Sequence, residues 1–191
     1  MPDRLILASA SPRRRELLGS LGYRFDVVVA GVTEHEDPAL DPRVMVARNS
    51  ALKADHVAAL HPDAWVLGAD TTVFIDGHAL NKPADPAAAH SMLRRLSGRT
   101  HTVFTGVALR NVARGVSEDL GVASDVDFRV LSDAGIEAYL QLVHVYDKAG
   151  GYGIQDHGEL LVAARRGSLS NIIGLPVDEV GELLTRHGVP R

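Results

Sequence analysis

Residues 5–22, LILASASPRRRELLGSLG, decide how the chain begins to fold. The apolar run Leu5–Ala8 is typical of a buried strand, and the leucines at positions 17, 18 and 21 recur with the spacing of one helix face. Between them Ser11 is a favourable N-cap, and Pro12 suits the first helical position. The segment therefore predicts a strand, a tight loop and a helix.

Three consecutive arginines, Arg13, Arg14 and Arg15, occupy the start of this predicted helix. A helix N-terminus carries partial positive charge and free backbone N–H groups, so cations there are unfavourable unless an anion binds. A phosphate chain would satisfy the loop and the arginines together. The alternative interpretation is a basic helix face in contact with water.

The composition limits the classes of function. The chain has 191 residues, 46% of them hydrophobic, a formal net charge of -4 and no cysteine. The length suits one substantial core, the negative charge argues against general nucleic-acid binding, and the lack of cysteine excludes disulfides and thiolate chemistry. The sequence shows neither a signal-peptide pattern nor an apolar stretch near the roughly 20 residues of a membrane span, so we expect a soluble, cytoplasmic protein.

Helical and strand patterns alternate along the rest of the chain. Helices are predicted over residues 43–60, 86–96, 132–143 and 176–187, and strands over 25–29, 65–67, 73–75, 103–109, 126–130 and 160–164. The dipeptide Asp76-Gly77 predicts a tight hairpin. Hairpin-linked strands among helices favour an α/β fold around a mixed sheet.

Asp70 is the first candidate for chemistry. It follows the predicted strand 65–67, and we expect it to interrupt the strand pair. A carboxylate held at the lip of a cleft is a candidate general base or metal ligand. The alternative is a turn aspartate that bonds its own backbone, with Thr71 as an ordinary strand residue.

Two lysines and an acidic loop are further candidates. Lys82 precedes Pro83, so its ammonium would project from a stiff loop, as suits a phosphate clamp, and Lys53 lies on a predicted helix. Glu34, Glu36 and Asp37 form an acidic cluster that could ligate Mg²⁺ through one or two carboxylates while substrate phosphates complete its shell. Solvated lysines and solvated loop acids are the alternatives.

Residues 150–153, GGYG, form a poor strand and a poor helix. Close approach of the backbone to a ligand would explain these glycines. Gln155, which follows them, offers both a donor and an acceptor to the edge of a nucleobase. Ordinary turn chemistry is the alternative.

Several short motifs follow one another in a fixed order along the chain. They are Ser9-Ala10-Ser11-Pro12-Arg13-Arg14, Gly68-Ala69-Asp70-Thr71, Lys82-Pro83, Leu96-Ser97-Gly98, Asp147-Lys148-Ala149-Gly150, Tyr152-Gly153-Ile154-Gln155 and Ser170-Asn171-Ile172-Ile173-Gly174-Leu175-Pro176. Together, over residues 5–185, they closely resemble the Maf family of nucleoside triphosphate pyrophosphatases.

The resemblance implies a fold related to the inosine triphosphatases: a long mixed β-sheet flanked by helices, with two lobes around a cleft, in one domain over residues 1–191. It implies hydrolysis of a nucleoside triphosphate to the monophosphate and pyrophosphate with a divalent cation, Mg²⁺ or Mn²⁺. Family members often form homodimers, so a homodimer is expected here.

The resemblance also implies a role for each matching residue. Asp70 matches the general base and, with Glu34, the metal-linked acids. The substrate-binding positions are Ser11, Arg13, Arg14, Lys53, Thr71, Lys82 and Gln155. Among these, Arg13, Thr71 and Gln155 fall on the specificity positions and resemble the members that act on dTTP and UTP.

Two other functions stay open at this point. A non-enzymatic regulator of septum formation or cell division would act through a partner or DNA, which the negative net charge disfavours. A hydrolase that removes modified pyrimidine nucleotides would use the same chemistry with a different base pocket.

Overall fold

The fold is built on one seven-stranded mixed sheet. The computed structural model describes residues 4–37 and 39–191. The strands are β1 (Leu5–Leu7), β2 (Phe25–Val27), β3 (Trp65–Ile75), β4 (His78–Leu80), β5 (Thr100–Asn111), β6 (Val116–Phe128) and β7 (Val162–Arg166). The helices are α1 (Pro12–Ser20), α2 (Pro42–Leu60), α3 (Pro86–Leu96), α4 (Asp133–Leu142), α5 (Leu169–Ile173) and α6 (Val177–Arg186).

The sheet order is β2-β1-β3-β5-β6-β7, and β4 also pairs with β3. β1 runs parallel to β2 and β3, whereas all the other pairs are antiparallel. The predicted α/β fold with a mixed sheet is therefore confirmed. The division into two lobes within one domain stays a prediction.

Side chains alternate between the two faces of the central strands, as the pleat requires. Leu5 and Leu7 pack in one apolar cluster with residues of α1 and α6, whereas Ile6 packs in another with residues of α2. A third cluster joins α3 and α4 to the far end of the sheet. The cleft described below lies where the first two clusters meet the third.

The helix starts follow the predicted capping rules. Ser11 Oγ accepts a hydrogen bond from the Arg14 amide, and Pro12 is the first residue of α1. α2 and α3 repeat the same arrangement with an aspartate before a proline. This local chemistry explains why sequence patterns located these helices to within a residue or two.

Several strand predictions were wrong in their bounds: β2 ends at Val27 instead of residue 29, and β5 runs over Thr100–Asn111 instead of 103–109. Asp70 does not interrupt a strand pair, because β3 runs through it without a break. Val130 lies beyond β6 and is 88% exposed. The last strand starts at Val162 instead of residue 160, because Gly158–Leu160 forms a 3₁₀ turn.

A gap in the sheet determines where a cleft can form. β5 covers one edge of β3 from Val66 to Phe74. On the other edge β1 pairs only up to Leu67, and β4 pairs only from Val73 onward. Among the residues that the structure describes, no strand lies beside residues 68–72 on that edge, so Asp70 stands in the middle of an open stretch.

The helices of residues 4–37 and 39–191 are each too short or too polar to cross a lipid bilayer.

Candidate active site

The nine residues to which the resemblance assigns a role line one cleft of about 620 Å³, which opens at the gap beside β3, whereas Asp37 of the acidic loop is not on its wall. That volume is within the usual range for small-molecule sites. The predicted residues on its wall are Ser11, Arg13, Arg14, Glu34, Lys53, Asp70, Thr71, Lys82 and Gln155. The structure therefore brings together segments that lie up to 144 positions apart in the sequence.

Asp70 lies at the floor of the cleft and is 9% exposed. Its Oδ1 accepts a hydrogen bond from Lys53 Nζ at 2.9 Å. The same ammonium lies 3.1 Å from Glu34 Oε2. Because Lys53 is itself 8% exposed, two carboxylates from different parts of the chain share one buried cation, and the three groups together keep a net negative charge.

Sequence reasoning missed Asn49, which completes this centre. Its Nδ2 donates a hydrogen bond to Asp70 Oδ2 at 3.1 Å. Asn49 lies one helical turn before Lys53 on α2, so both side chains face the same strand. Its only sequence signal was an amide four residues before Lys53 on the same predicted helix.

Two glycines allow α2 to approach the sheet closely. A Cβ on Gly68 would lie 2.4 Å from the carbonyl oxygen of Ser50 and 2.8 Å from the amide of Ala54. On β5, a Cβ on Gly106 would lie 3.0 Å from Ser50 Oγ. Because residues 68 and 70 share one face of β3, this contact brings α2 within hydrogen-bonding distance of Asp70.

Thr71 belongs to a second network on the opposite face of β3. Arg14 donates from Nη2 to Thr71 Oγ1 at 2.9 Å and from Nε to the Gly174 carbonyl at 2.9 Å. Thr71 Oγ1 also lies 2.9 Å from Thr105 Oγ1 on the paired strand. The Thr71 hydroxyl is therefore occupied by protein groups, and it holds Arg14 in place.

Burial lowers the pKa of Arg14 from its ordinary value, and the field of Asp70 and Glu34 opposes that shift by raising it. The guanidinium stays charged, because arginine retains its proton under all ordinary conditions. A third hydrogen bond, from Nη1 to Ser9 Oγ at 3.3 Å, ties it to the loop before α1. Arg14 is thus a fixed positive charge at the cleft wall.

Arg13 reaches across the cleft to Asp147. Its Nη1 donates to Asp147 Oδ2 at 2.7 Å, and its Nη2 donates to the Asp147 carbonyl at 3.2 Å. Partial burial raises the pKa of Asp147, but hydrogen bonds from Arg13 and Lys148 outweigh it and hold the value at about 2. Asp147 therefore competes with any anion for Arg13.

Gln155 lies exposed on the cleft wall, and the segment before it is held by a hydrogen bond to the core. Tyr139 Oη accepts a hydrogen bond from the Gly153 amide at 3.1 Å. Gly150 has a φ of 72°, and its Cα faces Val73, where a Cβ would lie 3.0 Å from a methyl group. These glycines therefore meet conformational and packing needs of the protein itself.

Lys82 is exposed, whereas the Pro83 that follows it is buried, and both the phosphate-clamp interpretation and the solvated-lysine alternative fit this arrangement. The Asn81 carbonyl accepts a hydrogen bond from the Gly150 amide at 3.3 Å. Lys82 thus enters the cleft from the β4 side of the gap, opposite the loop that carries Ser11.

The donor set at Asp70 fits a divalent cation. The carboxylates of Asp70 and Glu34 already converge on one positive centre, Lys53 Nζ. Carboxylate oxygens are the ligands that Mg²⁺ prefers, usually one or two of them with phosphate oxygens and water. In residues 4–37 and 39–191, no three acidic or histidine side chains gather to hold an ion alone, so phosphate oxygens or water would complete the shell.

His101 packs edge-on against the rings of Phe128 and Tyr152 in the core. It is 2% exposed, and its Nε2 lies 2.7 Å from Tyr152 Oη. Burial lowers the pKa of His101 to about 4, although Asp127 and Asp125 raise it slightly. A neutral histidine therefore supports the segment that leads to Gln155.

Comparison with known proteins agrees with this geometry. The model of the Maf-like protein family matches residues 4–187. A dTTP/UTP pyrophosphatase of Myxococcus xanthus (strain DK1622) is 48% identical over 186 residues, which cover 97% of this chain and 93% of the relative. One of Akkermansia muciniphila (strain ATCC BAA-835) is 46% identical over 184 residues and covers 96% of both chains.

Solved structures show the same fold at much lower identity. A HAM1 protein from Coxiella burnetii superposes with a TM-score of 0.58 at 15% identity, covering 96% of this chain and 99% of its own. The Staphylococcus aureus Ham1 protein gives 0.58 at 10% identity, covering 97% and 100%. The family model matches residues 4–187, and relatives that cover almost the whole chain are 46–48% identical to it. This chain therefore belongs to the Maf family.

Proposed function

We propose that this protein hydrolyses dTTP and UTP, releasing the nucleoside monophosphate and pyrophosphate, in a housecleaning role. The observation that supports this proposal is the cleft. The buried carboxylate of Asp70 lies in a gap of the sheet, and Arg14 and Lys82 lie on the walls around it. The relatives at 46–48% identity that bear the name dTTP/UTP pyrophosphatase cover almost the whole chain, which supports this substrate class.

The basic side chains would hold the triphosphate. Three hydrogen bonds already fix the Arg14 guanidinium. Binding a phosphate beside it would therefore need little further ordering of this side chain. Arg13 would exchange its Asp147 partner for a phosphate oxygen. Lys82, on the opposite side of the cleft, would neutralise negative charge at the far end of the triphosphate.

Asp70 would act on water. Its carboxylate would take the proton as the water oxygen bonds to the α-phosphorus, and the bond from that phosphorus to the α,β-bridging oxygen would break. Pyrophosphate would leave with the bridging oxygen. Lys53 and Asn49 keep the carboxylate in one orientation throughout.

We include a divalent cation, Mg²⁺ or Mn²⁺, in the proposal. Glu34 and Asp70 would hold it together with phosphate oxygens. When bound, it would supply neutralisation of phosphate charge and polarisation of the reacting phosphoryl group.

The base would lie at Gln155, whose amide can donate to and accept from the edge of a pyrimidine. Asp156 lies beside it on the same wall, and its Oδ2 is 3.5 Å from Lys148 Nζ. Modified pyrimidine nucleotides belong to the same substrate class. The pocket around these two residues would determine whether canonical or modified pyrimidines bind better.

The first test is a product assay on purified protein. The protein with Mg²⁺ or Mn²⁺ would be incubated with canonical and modified nucleoside triphosphates, and monophosphate, pyrophosphate and orthophosphate would be measured separately. We expect pyrophosphate release with a preference for dTTP and UTP, and none with chelator present. Orthophosphate as the first product, or no product from any nucleotide together with DNA binding at physiological salt, would contradict the proposal.

A homodimer and a cytoplasmic location are also part of the proposal. Sedimentation equilibrium tests the first, and fractionation of cells that express the protein tests the second. A monomer at micromolar concentration, or a protein recovered outside the cytoplasm, would contradict the respective expectation.

A further inference from the structure

Asn49 is the most completely buried polar side chain that touches Asp70, at 2% exposure. It is held on α2, two turns into a 19-residue helix, so its position is set by secondary structure and by the close packing of α2 on the sheet. A buried side-chain amide is costly unless its hydrogen-bonding groups find partners.

Each polar group of Asn49 has such a partner. Oδ1 accepts a hydrogen bond from the His35 amide at 2.7 Å. Nδ2 donates to the His35 carbonyl at 3.1 Å and to Asp70 Oδ2 at 3.1 Å. The two amide hydrogens are thus shared between the backbone of one loop and the carboxylate at the cleft floor.

The partner loop carries the acidic residues of the site. Glu34 and Glu36 flank His35 in the sequence, and both line the cleft. Residues 31–37 form no helix or strand of their own, so the pair of hydrogen bonds at His35 replaces the ladder that a strand would provide. Holding His35 keeps Glu34 within 3.1 Å of Lys53 Nζ.

We propose that Asn49 is a positioning residue that couples the acidic loop to Asp70. It fixes one oxygen of Asp70 while Lys53 fixes the other, and it holds the loop so that Glu34 joins Asp70 at one cationic centre. The inference rests on the proposed function, because its kinetic consequence requires that Asp70 and Glu34 act on a triphosphate.

Two substitutions separate the two parts of this role. Asn49→Asp has nearly the same shape and can still accept from the His35 amide, but it loses both donors and places a second carboxylate beside Asp70. Asn49→Leu loses all three hydrogen bonds. The matched control is Asn111→Asp, because Asn111 is also buried but caps the turn after β5, where its Oδ1 accepts from the Arg114 amide at 3.0 Å.

The experiment combines steady-state pyrophosphate release with amide hydrogen exchange of the folded variants. We expect both Asn49 variants to lose about 10- to 100-fold in kcat, as is typical when a partner of a reacting group is removed. For Asn49→Leu, KM should stay within about threefold, because the basic residues that bind phosphate are unchanged. Asn111→Asp should keep kcat within about twofold of the parent protein.

Exchange at the His35 amide reports whether the loop is still held, so together with kcat it separates loss of the loop from loss of the Nδ2 donors. It should stay slow in Asn49→Asp, which keeps the acceptor, and become fast in Asn49→Leu. Slow exchange with lost turnover in the aspartate variant would show that turnover depends on the Nδ2 donors, one of which holds Asp70, and not only on the held loop.

Two results would overturn the inference. The first is a kcat within about threefold of the parent in both folded Asn49 variants. The second is unchanged exchange at His35 in Asn49→Leu, which needs no substrate and so can be read in an inactive protein as well. A parent protein that releases no pyrophosphate from any nucleotide would contradict the proposed function instead.

Discussion

Asp70 and Thr71 are neighbours in the chain, yet they belong to opposite sides of the sheet and to different kinds of network. Asp70 faces α2, where an ammonium, a second carboxylate and an amide surround it. Thr71 faces α1 and the end of α5, where hydroxyls and a backbone carbonyl hold Arg14. One side concentrates charged groups around a carboxylate, and the other side is a set of satisfied hydrogen bonds that holds the Arg14 guanidinium.

This difference follows from the period of a strand. Successive side chains point to opposite faces, so two adjacent residues can contact different helices without any distortion. Both still reach the cleft, because residues 68–72 of β3 lack a strand neighbour on that edge in the described part of the chain. The comparison predicts that substitutions on the Asp70 side act on turnover and those on the Thr71 side act on binding.

The largest effect is expected from Asp70→Asn. The amide keeps the shape of the side chain but cannot take a proton, so kcat should fall by about 10²- to 10⁴-fold while nucleotide binding persists. Pyrophosphate release gives kcat, and equilibrium dialysis gives binding. Asp178→Asn, an exposed change on α6, is the matched control. Turnover equal to that of the parent would remove Asp70 from the reaction.

Gly68→Ala should come next, because it disturbs only the α2 side. The new Cβ would meet backbone atoms of α2 at 2.4 and 2.8 Å, so the helix must move away from the strand. Overpacking of this kind costs about 1–3 kcal/mol in the free energy of unfolding, and the displaced Asn49 and Lys53 should lower kcat about 10-fold or more. Urea unfolding and pyrophosphate release measure the two effects.

Gly19→Ala provides the control for that substitution. Gly19 lies within α1, and a Cβ there meets nothing within 4 Å. Alanine should raise the free energy of unfolding by about 0.5–1 kcal/mol, since it is the better helix former. If Gly68→Ala were as well tolerated as Gly19→Ala, close approach of α2 would not be what positions the charged centre.

Thr71→Val should have a smaller effect, and on a different quantity. Valine removes the hydroxyl that accepts from Arg14, so this arginine loses one of its three hydrogen bonds. We expect KM to rise by about 3- to 10-fold and the free energy of unfolding to fall by about 1 kcal/mol, with kcat little changed. Thr71→Ser, which keeps the hydroxyl, should restore KM. A loss confined to kcat would break the comparison between the two sides.

The smallest effect on activity is expected at His101, which lies on β5 and belongs to neither network. Its pKa is about 4 in the fold because of burial, against an ordinary value of 6.5. Between these values the unfolded chain binds the proton and the folded protein does not, so stability is full above pH 6.5 and declines as the pH falls toward 4. The loss amounts to about 3 kcal/mol at pH 4.

Urea unfolding at pH 7 and at pH 4.5 measures that dependence. His101→Asn should flatten it, whereas the control His56→Asn, on the exposed face of α2, should leave it unchanged. At neutral pH the His101 variant should keep kcat within about threefold, since the ring touches Tyr152 and not the cleft floor. An equal slope in the parent protein and in His101→Asn would assign the pH dependence to other groups.

Local signals made the helices predictable. The Ser-Pro and Asp-Pro pairs that begin α1, α2 and α3 act within four residues, so no tertiary contact is needed to recognise them. The strands were harder to bound. A run such as LGADTT contains a glycine, an aspartate and two threonines, and it resembles a turn until β5 pairs along it.

The nine candidate site residues could be named from motifs, whereas their partners could not. Nothing near Asn49 in the sequence indicates that it meets both His35 and Asp70. Similarly, Arg13 was expected to face an anion, and the fold supplies Asp147, 134 positions away, as its partner. Such pairs depend on long-range contacts, which no window of sequence contains.

By itself, the sequence determined the family, the α/β class, the helix starts and the residue types available for phosphate chemistry, because caps, periodicity and ordered motifs are local features. Only the tertiary structure decided that β1 and β4 share one edge of β3 and leave a gap at Asp70. It alone also assigned Asp70 to the charged side and Thr71 to the hydrogen-bonded side. The physical reason is that strand pairing and helix packing join residues far apart in the chain, and the geometry of the cleft exists only once they have met.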